Sequence, residues 1–385
     1  LLVIIYFSKL QYLAADFGLT TSFLFLICHI LSFNERSVLL SENNLNNVNS
    51  SFIFRIQSSI ILIIVSLIFF KTQNLLSLFT LSISFLIISH WCLEIFLIKS
   101  EIEKNFKLIK ITIFFSFLYI VISALAILAG NLKIFSVFTI FYSFIVLSLC
   151  FSQFKKLYLI VDYLNYYNFF FKKNLLSYRL TSSFFISISN FYFRYFIYIL
   201  FSKELAGSLF TFFTFGSFPA SIYSLVLAPS LLRDKIDINK LKIFIFTFTI
   251  YFFIGIILFL LFIFNENFSS QNLLIVSLSM IGSIVMIYSL HRRQVMIYNI
   301  NTRSYCFQLD IFFSISIICI VPVIYSINNE YLLAAGFFIS SILAYIFYGL
   351  RIGKYKIEKV LIISVFIFVP IHFVLLKNNI FSPHI

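Results

Sequence analysis

Long apolar stretches follow one another along the whole chain, separated by short polar interruptions. Reading between the interruptions gives twelve runs, at 1–31, 52–70, 75–98, 108–129, 134–152, 182–201, 205–232, 241–264, 273–290, 306–326, 331–350 and 359–377. About 18 apolar residues suffice to cross a hydrocarbon core of about 30 Å as a helix. Barrel strands would be about ten residues long with alternating polarity, whereas these runs are about twice that and apolar on all sides. The pattern predicts an all-α polytopic membrane protein with about twelve transmembrane helices.

Composition agrees with the pattern. Hydrophobic residues make up 61% of the 385 and charged residues 11%, against roughly 25% charged in an ordinary soluble domain. The formal net charge of +14 raises the question of a nucleic-acid partner, which the placement of the basic residues decides. Short cytoplasmic loops retain Lys and Arg, and short exterior ones do not. Alternate connections hold Arg36 and Arg55; Lys99, Lys104, Lys107 and Lys110; Lys155, Lys156, Lys172, Lys173 and Arg179; Arg233, Lys235, Lys240 and Lys242; Arg292, Arg293 and Arg303; and Arg351, Lys354, Lys356 and Lys359. That is 22 of the 28 basic residues, while the intervening connections hold Lys71, Lys133 and Lys203. The alternation explains the charge without nucleic acid and assigns a cytoplasmic side.

This orientation sends the first run from outside to inside. The chain opens on Leu1 without the basic region or cleavage site of a signal peptide, so a helix ahead of it is expected and the first lobe is read as truncated at its start. The longest cytoplasmic connection, 153–181, is rich in Tyr, Phe and Lys, as an interfacial helix would be. It divides the chain into an N-terminal helical lobe at 1–152, a link at 153–181 and a C-terminal helical lobe at 182–385. The runs at 1–31 and 205–232 are both long, cross in the same direction and carry Phe-Gly near the middle, at Gly18 and Gly216. Two parallel pseudo-repeated lobes around a central cavity are the expected architecture. The five cysteines, Cys28, Cys92, Cys150, Cys306 and Cys319, lie in or at the edges of apolar runs without paired spacing, which reads as packing and not as metal or disulfide chemistry.

Charge inside an apolar run costs at least about 2.5 kcal/mol at a helix centre, so each instance needs a reason. Arg194 lies with Ser183, Ser187, Asn190 and Tyr198 at spacings of three and four, on one helical face. The stripe points to a wet central cavity in which a guanidinium fork suits a phosphate or diphosphate. Snorkelling to the exterior headgroups, or a structural partner such as Asp16, are the other outlets for its charge. In the first run Lys9, Tyr12, Asp16 and Thr20 form a shorter stripe; Lys9 also suits the exterior interface, and Asp16 suits either a cationic partner or proton coupling. His90 and Glu94, and separately Asp310, lie toward cytoplasmic ends. They read as interfacial side chains reaching water or, more sharply, as a coupling or gate group. Pro219 and Pro229 in the run 205–232, and Pro322 and Pro370 in later runs, supply kinks.

Two stretches carry a family resemblance. "LQYLAADFGLTTS", with Asp16, Gly18 and Leu19, and "FSKELAGSLFTFFTFGSFPASIYSLVLAPSLLR", with Glu204, Gly207 and Pro229, resemble segments of the polysaccharide (O-antigen) flippases of the multidrug, oligosaccharidyl-lipid and polysaccharide exporter superfamily. The layout of runs resembles that family over essentially the whole chain. The resemblance implies a flippase of the cytoplasmic (inner) membrane that moves an undecaprenyl-diphosphate-linked oligosaccharide to the exterior leaflet by alternating access. Arg194 is the residue best placed to attract the diphosphate. Its implied partners are the lipid-linked oligosaccharide, membrane lipids and other polysaccharide-assembly membrane proteins. No cofactor is implied, and proton or sodium coupling remains open.

Three rival readings make different demands on the sequence. A membrane polysaccharide polymerase or ligase would present a substantial exterior loop, and the longest here is "NENFSSQN"; no nucleophile, metal or P-loop signature marks an enzyme. A drug or cation exporter of the same superfamily would carry acidic residues deep in the bundle, where Arg194 opposes Asp16. A non-transporting scaffold would gain nothing from the polar stripe.

Overall fold

The structure, a computed structural model, describes residues 1–32, 39, 45–103, 105–153, 175–223, 238–264, 271–298, 302–327 and 330–349. The expected run at 359–377, the bulk of the link at 153–181, the end of the run at 205–232 with Pro229, and Pro370 lie outside the described residues. In chain order the helices are α1 (Leu2–Phe7), α2 (Gln11–Ser32), α3 (Leu45–Thr72), α4 (Leu78–Ile102), α5 (Phe106–Leu128), α6 (Leu132–Gln153), α7 (Leu175–Leu200), α8 (Lys203–Ile222), α9 (Ile238–Phe264), α10 (Gln271–Tyr298), α11 (Arg303–Ile327), α12 (Glu330–Ala334) and α13 (Gly336–Ala344), closed by a π turn at Tyr345–Gly349. Helix is the only regular structure among the described residues.

Eight of these helices, α2 to α6, α8, α10 and α11, are long and apolar enough to cross a membrane. Shorter apolar stretches occupy α7, α9 and the segment Gly336–Tyr348. The chain is an α-helical, multi-pass membrane protein. Its outer faces agree: Ile60, Ile64 and Ile68 on α3, and Phe114, Phe117 and Leu125 on α5, are all exposed, a surface that lipid covers without cost and water does not. Buried hydroxyls such as Ser82, Ser84, Ser89 and Ser100 on α4 donate to carbonyls three or four residues earlier in their own helix, so they add no unsatisfied donor to the apolar interior.

The run expected as one helix at 1–31 is two. The Lys9 N–H bonds to the Tyr6 carbonyl and the Leu10 N–H to the Ile5 carbonyl, with Lys9 itself at φ +62°. These paired bonds around a left-handed residue form a Schellman stop. The same stop ends α3 at Asn74 (φ +53°) and α5 at Gly130 (φ +70°), and all three turns lie on the side that the charge count assigns to the exterior. Tight stops let short connections join antiparallel helices there. After its turn α1 folds back: Tyr6 meets Ser208 and Phe212 of α8, well below the start of that helix. The expected run at 331–350 is also divided, into α12, α13 and the π turn.

In the N-terminal half α4 packs on α6, α3 and α2; in the C-terminal half α10 packs on α8, α9 and α13, and α7 lies along α11. The halves meet where α2 packs against both α7 and α8, and α1 against α8. Two glycines set this contact. A Cβ on Gly207 would overlap the main-chain carbonyl of Gln11, and one on Gly18 would overlap the Phe210 ring. Larger residues would hold α2 and α8 apart.

Candidate functional site

The polar face of α7 lies against α2. Tyr198 donates from its hydroxyl to Asp16 Oδ1 at 2.8 Å, Arg194 donates from Nη1 to the Gly18 carbonyl at 3.2 Å, and Ser187 Oγ lies 2.9 Å from His29 Nδ1. Between these contacts the Phe23 and Phe191 rings meet with centroids 5.6 Å apart. As the α2 number rises the α7 number falls, so the two helices run antiparallel. The seam extends from residue 16 to residue 29 of α2, roughly 20 Å at the helical rise.

Lys203, the first residue of α8, places Nζ 3.3 Å from Asp16 Oδ1 and 5.2 Å from the Tyr198 ring centroid. Asp16 thus ties α2 to both arms of the α7–α8 hairpin, near the turn. Serine starts α8 in a favourable way, since Ser202 Oγ accepts from the Leu205 N–H and occupies one of the free donors of the helix end.

Arg194 is partly buried, and its guanidinium sits 5.6 Å from the centroid of the Phe210 ring on α8. Its hydrogen bond to Gly18 is its sole one among the described residues, and no carboxylate there pairs with it. Of the partners considered from sequence, Asp16 goes to Lys203 and Tyr198 instead. Ser187 and Tyr198 share the α7 face with Arg194, while Asn190 stays exposed beside it.

On α2 the expected stripe divides. Lys9 stands in the turn, Tyr12 is exposed, Thr20 Oγ1 is buried without a hydrogen-bond partner among the described residues, and of the four Asp16 reaches α7.

The residues read as coupling or gate groups go to different places. Glu94 pairs with Arg55 at 2.8 Å, and Arg55 also donates to the Trp91 carbonyl and lies against the Trp91 ring. His90, four residues from Glu94, turns its ring edge to Tyr142 on α6. Asp310 is 0% exposed and takes two hydrogen bonds from Arg293, at 2.8 and 3.1 Å, and one from the Tyr348 hydroxyl. The reading of Asp310 as an interfacial side chain reaching water is therefore corrected: a carboxylate this enclosed needs its guanidinium and hydroxyl partners. Arg55 and Arg293, counted with the cytoplasmic connections, are helical and buried.

Sequence reasoning passed over His29 and the ion pairs of Arg55 with Glu94 and of Arg293 with Asp310. It also passed over the tripeptide Phe-Ser-Lys, which stands at both hairpin turns, ending in Lys9 and in Lys203. No group of three His, Cys, Asp or Glu residues with metal-binding proximity occurs among the described residues. Comparisons with protein-family models, with curated proteins and with solved structures return no match.

Proposed function

We propose that the protein is a two-lobed flippase that carries an undecaprenyl-diphosphate-linked oligosaccharide from the cytoplasmic to the exterior leaflet of the inner membrane by alternating access. The observation that carries this reading is Arg194, a permanent charge kept between the two halves with a backbone carbonyl and a ring face as its neighbours and no carboxylate among the described residues. Such a guanidinium retains donors for an oxyanion, and Arg is the side chain whose fork matches phosphate.

The two-lobed part of the proposal is supported by the packing of the hairpins. The first arm of each, α1 or α7, lies on the second arm of the other, α8 or α2, while α2 and α8 run side by side in the same direction. That exchange is what a two-fold relation about the membrane normal produces. In this arrangement the tie from Asp16 to Tyr198 and Lys203 closes the exterior end, and separation of α2 from α7 and α8 frees Arg194 for the diphosphate.

The test is rescue of surface polysaccharide in cells lacking their own flippase, by the full-length gene and by its Arg194→Ala form, with equal membrane abundance checked. Rescue by the parent and loss in the variant are expected. Rescue by both removes the role of Arg194, and failure of the parent in several sugar-matched hosts removes the flippase reading.

A further inference from the structure

We infer that α8 pivots over Phe215–Pro219 and that Tyr251 of α9 controls the pivot, by supplying from its side chain the hydrogen bond that the Pro219 backbone cannot make. The inference concerns the helix itself and does not depend on what the protein carries.

Inside a helix each carbonyl accepts from the N–H four residues on. Pro219 lies within α8 and has no N–H, so the Phe215 carbonyl loses that donor, and the proline ring crowds the same carbonyl. Phe215 is 43% exposed. It stands roughly 18 Å along the helix from Lys203, within the reach of a hydrocarbon core of about 30 Å. Lipid offers its oxygen no donor. The Tyr251 hydroxyl does: it donates to the Phe215 carbonyl at 2.6 Å, with the two ring centroids 6.1 Å apart. The nearest hydroxyls along α8 serve other carbonyls, Ser217 donating to Thr214 and Ser221 to Ser217.

The position of this break gives it a role. Before it, α8 is attached to the N-terminal half: Gly207 lies on the Gln11 main chain, Ser208 donates to the Tyr6 hydroxyl at 3.3 Å, and the Phe212 ring meets that of Tyr6. Beyond it, α8 is attached to α10 of its own half, where Tyr223 Oη stands 2.7 Å from His291 Nδ1. Gly216, within the stretch, lies directly on Ser279 of α10 and serves as the fulcrum. A change of angle between the halves therefore falls on Phe215–Pro219, where the helical ladder is interrupted. A hydrogen bond at 2.6 Å is lost when its atoms part by about 1 Å more. A small displacement of α9 thus frees the carbonyl and lets α8 bend, and α9 in place holds it.

The test measures the bend. The full chain in lipid nanodiscs, with its native cysteines replaced by alanine, carries spin labels on Glu204→Cys and Ser221→Cys, roughly 25 Å apart along α8. The parent is expected to give one narrow distance distribution. Tyr251→Phe, which keeps the ring and removes the hydroxyl, widens it by several ångström and lowers the thermal midpoint. Pro219→Ala returns a backbone donor to Phe215, so Tyr251→Phe added to Pro219→Ala leaves both the distribution and the midpoint unchanged. A distribution as narrow in Tyr251→Phe as in the parent, or one that widens equally in the Pro219→Ala background, overturns the inference. Should Tyr251→Phe give no folded protein, its recovery by Pro219→Ala supports the inference and continued failure overturns it. Because no transport is measured, these outcomes are separate from that of the flippase test.

Discussion

Arg194 of α7 donates to the main-chain carbonyl of Gly18 on α2, a residue 176 positions earlier in the chain. Its charge lies over Phe210 of α8, so one side chain links three of the four helices where the halves meet. A guanidinium with a single backbone acceptor in a low-dielectric seam pays a desolvation cost that its contacts repay in part. Arg194→Met, which keeps bulk and removes charge, is expected to leave the thermal midpoint of the purified protein unchanged or raised while abolishing polysaccharide rescue. A stabilising role for Arg194 would instead lower both together.

The glycines beneath this contact give a paired prediction. Gly18→Ala drives a methyl into the Phe210 ring, and overpacking of this kind costs about 1–3 kcal/mol. Truncating the obstacle in the double variant Gly18→Ala, Phe210→Leu should restore the thermal midpoint. Gly207→Ala meets the Gln11 main chain instead, so no truncation of a side chain should rescue it.

The tie at Asp16 is uneven. The Lys203 side chain is 50% exposed against 17% for Asp16, and a pair of that kind is worth below about 1 kcal/mol. Tyr198→Phe removes the closer partner, at 2.8 Å, and leaves Asp16 short of a donor, at a cost of about 1–3 kcal/mol. Denaturation in detergent should therefore rank Tyr198→Phe as more damaging than Lys203→Ala.

Asp310 is the clearest structural charge. Removing one member of a buried ion pair costs about 3–5 kcal/mol, whereas replacing both by apolar residues is close to neutral. Arg293→Met alone should reduce folded protein in the membrane sharply. Arg293→Met combined with Asp310→Leu should recover most of it, as read by detergent-solubilised yield and thermal midpoint.

Length and apolarity carried the helices, because lipid demands both over a whole span and leaves little freedom in where one begins. The break at Lys9 was hidden, since a lysine at a left-handed stop gives no glycine signal and both neighbouring segments are apolar. On α7 the helical spacing of Ser187, Arg194 and Tyr198 named the face that packs on α2, although not that a helix lies there. On α2 the same method failed. His29 stands thirteen residues after Asp16, about 140° away around the helix at 3.6 residues per turn, yet both reach α7. Spacing along one helix does not reveal such a contact. The Arg55–Glu94 and Arg293–Asp310 pairs join residues 39 and 17 positions apart, on different helices, where only packing could pair them.

The central claim is that the polar face of α7 forms a seam with α2, and cross-linking tests it most directly. On a cysteine-free background, Phe23→Cys with Phe191→Cys replaces two rings that meet at 5.6 Å, and Phe23→Cys with Phe196→Cys moves the second thiol to the far side of α7. A short thiol cross-linker applied to native membranes should join the first pair and leave the second unjoined. Failure to join the first pair, or equal joining of both, would contradict the seam.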